Sequence, residues 1–336
     1  MLMNIYELAS KKILILDGAM GTMIQRHKLT ESDFRNELLI NHPKPLQGNN
    51  DLLSLTRPDI IGNIHRQYFE AGADIVETNT FSSTSIAQAD YALEHLVYDL
   101  NYQAAKIAKA VAVEMSTDEH PKFVAGSIGP TNRTASLSPD VNRPGFRAIL
   151  FQELKTAYTE QVVALIEGGV DLLLVETIFD TLNAKAALFA ITEVLEERGI
   201  SIPIMVSGTI TDASGRTLSG QTTQAFMISL SHIPLFSIGL NCALGADQLM
   251  PYIDVLDQHA QVLVSAHPNA GLPNEMGDYD QSPHQFAELL KSYFERNLVN
   301  IAGGCCGTTP EHIKRLAEVA SSFQPRPLKT LFENER

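Results

Sequence analysis

Eight short apolar runs, each followed by enough chain for a helix, constrain this sequence more than any other feature. They fall at residues 13–16, 74–77, 123–127, 172–176, 204–207, 236–240, 262–266 and 299–302. Each is rich in β-branched or aliphatic residues and is of strand rather than helix length. Strands apolar on both faces that alternate with helices belong to parallel sheets covered on both sides. Eight in succession imply a closed barrel, so the expected fold is α/β, a single-domain (β/α)8 TIM barrel, for which 336 residues is an ordinary length. The helices are legible too. Over 59–70, Ile60, Ile61, Ile64, Tyr68 and Phe69 share one face, and Gly72 supplies a stop. Over 151–167, Leu154, Tyr158, Val162, Leu165 and Ile166 do the same ahead of Gly168 and Gly169. Stretches 69–78 and 166–177 echo each other as helix, glycine turn, Asp, strand and Glu-Thr, as repeated βα units do. The barrel is assigned to residues 1–322. From Phe323 the chain turns polar with two prolines, and 323–336 reads as a linker-like tail.

The composition changes at the C-terminal end of every run. In order these ends read Asp17-Gly-Ala-Met-Gly-Thr22, Glu77-Thr-Asn-Thr80, Gly126-Ser-Ile-Gly-Pro130 and Glu176-Thr177, then Ser207-Gly-Thr209, Asn241-Cys242, His267-Pro-Asn-Ala-Gly271 and Gly303-Gly-Cys-Cys-Gly-Thr-Thr309. In a barrel of this kind that rim is where active sites are built. The stretches after the first and third runs (to about Thr56, and 131–145) are long and polar, and are expected to cover the site or to dock a partner.

All three cysteines of the chain, Cys242, Cys305 and Cys306, lie on this rim. An odd number of cysteines is a poor disulfide framework. Zinc prefers thiolates in a tetrahedron, and catalytic sites use three protein ligands with the fourth position exchangeable. Three thiolates around a divalent ion carry a charge near −1, which suits a fourth thiol that binds as thiolate and keeps its nucleophilicity. Two plainer readings stand beside this one. A cysteine ending a strand is often a small buried hydrophobe, and the glycine-rich run before Pro310 also fits a phosphate cradle at a helix start. Thr309 and Pro310 read as N-cap and first helical residue in either case. Ten histidines are scattered without metal spacing, and none forms H-x-x-x-H. A formal net charge of −14 argues against nucleic acid as a partner, since phosphate binding needs clustered Lys and Arg. No run approaches the roughly 18 apolar residues of a membrane span, and the N-terminus lacks a signal-peptide succession, so a cytoplasmic location is expected.

Taken together, DGAMGT, ETNTF, GSIGP, VET, GLNC, HPNAG and GGCCGTTPEHI resemble the homocysteine S-methyltransferase family. The longer runs GNNDLL, GPTNRTASLSPDVN, FDTLNAKAA, SGTITDASGRTLSGQTT and GLNCALG look most like the N-terminal, homocysteine-binding domain of cobalamin-dependent methionine synthase. The resemblance covers about residues 5–322. It implies zinc-dependent methyl transfer to the sulfur of homocysteine, giving methionine. Cys242, Cys305 and Cys306 match the family's zinc ligands, and Asp17 and Glu176 match carboxylates that hold the substrate amino group. Backbone N–H groups of Gly18, Ala19 and Met20 are expected at the substrate carboxylate. Asn269 is expected as a labile fourth zinc ligand, His267 as a satisfied hydrogen-bonding group, and Glu77 and Asn79 as residues that bind substrate or orient the site.

The resemblance also implies methylcobalamin, recharged from methyltetrahydrofolate, as donor. No Asp-x-His-x-x-Gly motif for cobalt is present, so cobalamin-binding and folate-binding modules are expected in cis or in trans, with this chain either an excised domain or a separate subunit. The alternatives are a stand-alone enzyme using S-methylmethionine or betaine, a zinc-free barrel lyase binding a phosphorylated substrate, and a non-catalytic homocysteine-binding subunit.

Overall fold

A computed structural model of the chain describes residues 3–211 and 214–329. Its eight strands are β1 (Leu14–Ile15), β2 (Ile75–Glu77), β3 (Phe123–Ile128), β4 (Leu172–Ile178), β5 (Ile204–Gly208), β6 (Ser237–Gly245), β7 (Leu263–Asn269) and β8 (Ile301–Ala302). All neighbours pair in parallel, in the order β1-β8-β7-β6-β5-β4-β3-β2. A bridge between Leu16 and Ile75 closes the ring, with Asp74 N–H donating to Ile15 O at 2.7 Å and Asp17 N–H to Ile75 O at 3.0 Å. The fold is the (β/α)8 barrel that the run count implies.

Strands β4, β6 and β7 extend past their apolar runs, to Ile178, Gly245 and Asn269. Hydrophobicity marks only the part of a strand that crosses the core, whereas backbone pairing continues onto the polar rim. The helices follow their apolar faces. Pro58–Glu70 starts with proline at its first position and buries the five residues that the periodicity singles out. Phe151–Gly168 ends on Gly169, whose φ of 96° is the left-handed conformation of a helix C-cap.

Two apolar layers result. Outward-facing strand residues such as Ile15, Val76, Val124, Leu173, Val206, Ile238 and Val264 pack under the helices. Inward-facing ones form a separate cluster of Leu14, Leu16, Ile75, Ala125, Leu172, Leu174, Met205, Leu263 and Ile301. The short helix Ile5–Ala9, whose Asn4 makes a reciprocal capping box with Glu7, adds Ile5 and Leu8 to that inner cluster. Because strand side chains alternate, the same inward positions continue upward as Glu77, Ser127, Glu176, Ser207, Asn241, Ser265 and His267. The barrel is an apolar plug below and a polar basin above.

Past residue 322 the chain stays packed on the barrel as far as Arg326. The Arg326 side chain is fully buried, with its guanidinium on Asp257 Oδ1 at 2.7 Å and on the carbonyls of Asp257 and Ala260 at 2.9 Å each. Asn300 Nδ2 donates to Arg326 O at 2.7 Å. A polar composition hides this docking because a buried arginine with its donors satisfied is not apolar. The remainder of that tail, 330–336, lies outside the described residues. Among the described residues no helix is long and apolar enough to cross a membrane.

Candidate metal centre and substrate pocket

The cysteines meet because two rim segments are bent toward each other. At the end of β6 the pairing with β7 slips between Asn241 and Gly245, and Cys242 and Ala243 take left-handed φ values of 60° and 59°. Non-glycine residues there cost about 1–3 kcal/mol each, so the bend is held by its surroundings. The loop after β8 is pinned by its own backbone. Gly304 N–H donates to Asp17 O (3.0 Å), Cys305 N–H to Pro268 O (2.9 Å), Cys306 N–H to Asn269 Oδ1 (3.1 Å) and Gly307 N–H to Thr22 Oγ1 (3.1 Å). Gly18 is required where the β1 loop passes this one, since a Cβ there would lie 2.6 Å from Thr308 Oγ1.

The three Sγ atoms therefore fall within 4.8 Å of one another, with Cys242 and Cys306 3.8 Å apart. A tetrahedral site with zinc–sulfur bonds of about 2.3 Å has a sulfur–sulfur edge of about 3.8 Å. The donor set and its spacing fit zinc. As bare thiols the group is electrostatically unbalanced: hydrogen bonds from Cys242 and Cys305 pull Cys306 down to about 3, while Cys305 is pushed up by its two neighbours and by burial. A central cation lets all three ionise together.

The phosphate reading fails here. A cradle needs free N–H groups, yet those of Gly303 and Thr308 go to Ala266 O and Cys305 O, that of Thr309 to His312 Nδ1, and those of 304–307 are spent as described.

Beside the thiols lies a cavity of about 960 Å³ whose wall includes Asp17, Glu77 and Glu176. Burial raises all three carboxyl groups above the usual range, and the Glu176 charge raises Asp17 and Glu77 further. Asp17 accepts from Glu77 N–H at 3.0 Å, and Glu176 from Ser127 Oγ at 2.5 Å. Among the described residues the wall holds one arginine, Arg26, which is half exposed and pairs loosely with Glu311 at 4.0 Å. Desolvated carboxylates facing a cavity without a counter-ion favour a cationic ligand.

The structure brings Asp17, Gly18, Ala19, Met20, Glu77, Asn79, Glu176 and the three cysteines to this one cavity. Asn79 donates to Asn50 O at 2.8 Å and so holds the β1 loop. Ala19 N–H is already bonded to Thr308 Oγ1 at 3.1 Å, which takes it out of the expected anion contact. Asn269 is buried behind Cys306 and does not line the cavity. His267 departs from expectation: its Nε2 is buried without a partner among the described residues, and burial pushes the ring down to about 3. The long stretch after β1 contributes wall residues from Gly18 to Asp51, but 131–145 contributes none, and the loop after β7 supplies Gly277 to Asp280 instead.

Three site residues escape sequence reasoning. Asp51 is a further buried acid on the wall, pushed up to about 6 by burial. Tyr279 lines the cavity beside the three cysteines, and burial, with the Cys306 charge, pushes its phenol up. Asn241 joins the two halves: its Oδ1 accepts from Thr177 N–H (3.0 Å) and Ser207 Oγ (2.7 Å), and its Nδ2 donates to Thr177 Oγ1 (2.8 Å) and approaches Cys305 Sγ (3.9 Å). Its place between an apolar strand and a cysteine was the available signal. Asn241→Ala should cost about 2–3 kcal/mol in denaturant unfolding, because it strands buried partners, and should weaken metal retention and substrate affinity together.

A (β/α)8 barrel that joins three convergent thiols to a recess of buried carboxylates at its catalytic rim defines a barrel enzyme with a metal-capable thiol centre. The chain belongs to the homocysteine S-methyltransferase family, whose model matches residues 14–320. Among solved structures, the metallated form of the homocysteine methyltransferase MmuM from Escherichia coli matches with a TM-score of 0.70 and 22% identity, over 93% of this chain and 97% of that one. Its oxidized form matches with a TM-score of 0.71 and 21% identity over the same shares. At such identity the likeness concerns the fold.

Proposed function

We propose that this chain transfers a methyl group to the thiol of homocysteine, using zinc held by Cys242, Cys305 and Cys306, with methylcobalamin presented by another domain or subunit as donor. The observation that carries this reading is the convergence of three thiols beside an acidic recess, which together match a substrate with a thiol at one end and an ammonium at the other. Bound zinc supplies the means to hold the substrate sulfur as a thiolate at neutral pH.

The protein's own residues do the rest. Asp17 and Glu176, with Glu77 beside them, accept the ammonium, and charge-assisted bonds in this desolvated recess fix its position. The N–H groups of Gly18 and Met20 are proposed to meet the substrate carboxylate. Anchoring the amino-acid end orients the sulfur toward the open side of the cavity, where a donor approaches. Asn269 holds Cys306 N–H with one lone pair of its amide oxygen, and the second lone pair keeps a labile ligand role compatible with that bond. The donor assignment is supported by the long methionine-synthase-like runs and by a cavity far larger than a four-carbon amino acid requires.

Metal analysis of the purified protein should find zinc. Assayed with homocysteine and each donor separately, the chain should turn over free methylcobalamin, and not betaine or S-methylmethionine. Turnover with betaine alone would overturn the donor assignment and leave the acceptor half intact.

A further inference from the structure

We infer that Tyr279 is a positioning residue of the metal centre: its phenol O–H donates to Cys306 Sγ and draws negative charge off that sulfur. The inference rests on the reading that the three cysteines hold a metal. Two observations carry it. Tyr279 lines the cavity with all three cysteines. Its ring seats directly against the cysteine loop, because a Cβ on Gly307 (φ +80°) would lie 2.2 Å from Tyr279 Cβ, so only glycine admits the ring there.

The loop that delivers Tyr279 is, moreover, braced for placement. Pro273 and Tyr279 form an antiparallel bridge, Asn274 N–H donates to Asp278 O at 2.8 Å, and Asn274 Oδ1 receives the N–H groups of Met276 (2.9 Å) and Asp278 (3.0 Å). Asn274 Nδ2 also bonds Asp280 Oδ2 at 2.8 Å. The loop's near end is tied to the cysteines by Ala270 N–H on Cys306 O at 2.9 Å.

The chemistry follows from charge. Three thiolates with a divalent ion carry a charge near −1, and a fourth thiolate makes it −2, in a half-buried setting that already holds several carboxylates. A hydrogen bond to sulfur disperses some of that charge, so the tyrosine favours the state in which a substrate thiolate has joined. Hydrogen bonds to charged groups are among the strong ones. Partners that orient ligands typically matter by about 10- to 100-fold.

The test is Tyr279→Phe, which keeps the ring against Gly307 and removes only the hydroxyl. Wild type and variant are loaded with cobalt(II), whose thiolate charge-transfer absorption reports the electron density on sulfur. The variant should bind cobalt as wild type does, show that band at longer wavelength, and bind homocysteine about tenfold more weakly in titration calorimetry. An unchanged band with unchanged homocysteine affinity would overturn the inference. So would loss of cobalt from a folded variant, since the phenol oxygen would then be a ligand and not a donor. If the variant does not fold, fluorotyrosine placed at 279, a stronger donor, should move the band to shorter wavelength, and no movement counts against the inference. Wild-type protein that takes up no cobalt would instead defeat the metal-centre reading itself.

Discussion

Replacing Cys306 with alanine should empty the centre of zinc and reduce methyl transfer by more than about a hundredfold, beyond the usual effect of losing a residue that merely orients a ligand. The argument is one of charge and geometry. Cys242 and Cys306 stand 3.8 Å apart, a tetrahedral edge, and two thiols cannot close that tetrahedron. The fold should survive. The loop is held by backbone bonds from Gly304, Cys305, Cys306 and Gly307 that do not involve the Cys306 side chain. Zinc content by elemental analysis, beside a melting curve, checks both halves. A Cys306→Ala protein with full zinc and normal turnover would defeat the assignment.

Glu176→Gln should act on the other end of the substrate. Truncating one partner of a buried charge pair costs about 2–5 kcal/mol, so kcat/KM for homocysteine should fall roughly 30- to several-thousandfold, at about 1.4 kcal/mol per factor of ten. Zinc content should not change, which separates this variant from Cys306→Ala. The pH dependence carries the same logic. Burial raises Asp17, Glu77 and Glu176, so each gains its proton at a higher pH than an ordinary carboxylate near 4. An ammonium binds only the ionised forms. Wild-type kcat/KM should therefore decline as pH falls through that raised range, well before free carboxylates titrate. In Glu176→Gln the decline should begin at lower pH, because the Glu176 charge, after burial, is what raises Glu77. A pH profile unmoved by the substitution would show that this cluster does not bind the amino group.

Much of this was legible in the chain itself. The eight runs place eight strands because alternation, burial and helix spacing are local properties, and each run lies within or beside the strand observed. Local reading falters where polarity and structure part company. The rim ends of β6 and β7 pair past the point where hydrophobicity stops, and Arg326 is buried although it carries a charge. The cysteines stand out by residue type and rim position, and Asp17 and Glu176 by the family resemblance, with which their place at strand ends agrees. Asn241 carries only the weak signal of its place between an apolar strand and a cysteine, and Asp51 and Tyr279 carry none, since an aspartate and a tyrosine in polar segments have many ordinary uses.

Residue order alone was enough to imply the architecture, the rim on which polar residues gather, and the presence of three thiols there. Only the tertiary structure decided that Cys242, sixty-odd residues before Cys305 and Cys306, lies within one sulfur contact of them. It also spent the backbone N–H groups that a phosphate would have needed and, among the described residues, left Asp17, Glu77 and Glu176 without an ion-pair partner. The physical reason is that ligand spacing and desolvation are set by closure of the barrel, a long-range event, whereas the strands that close it are written residue by residue.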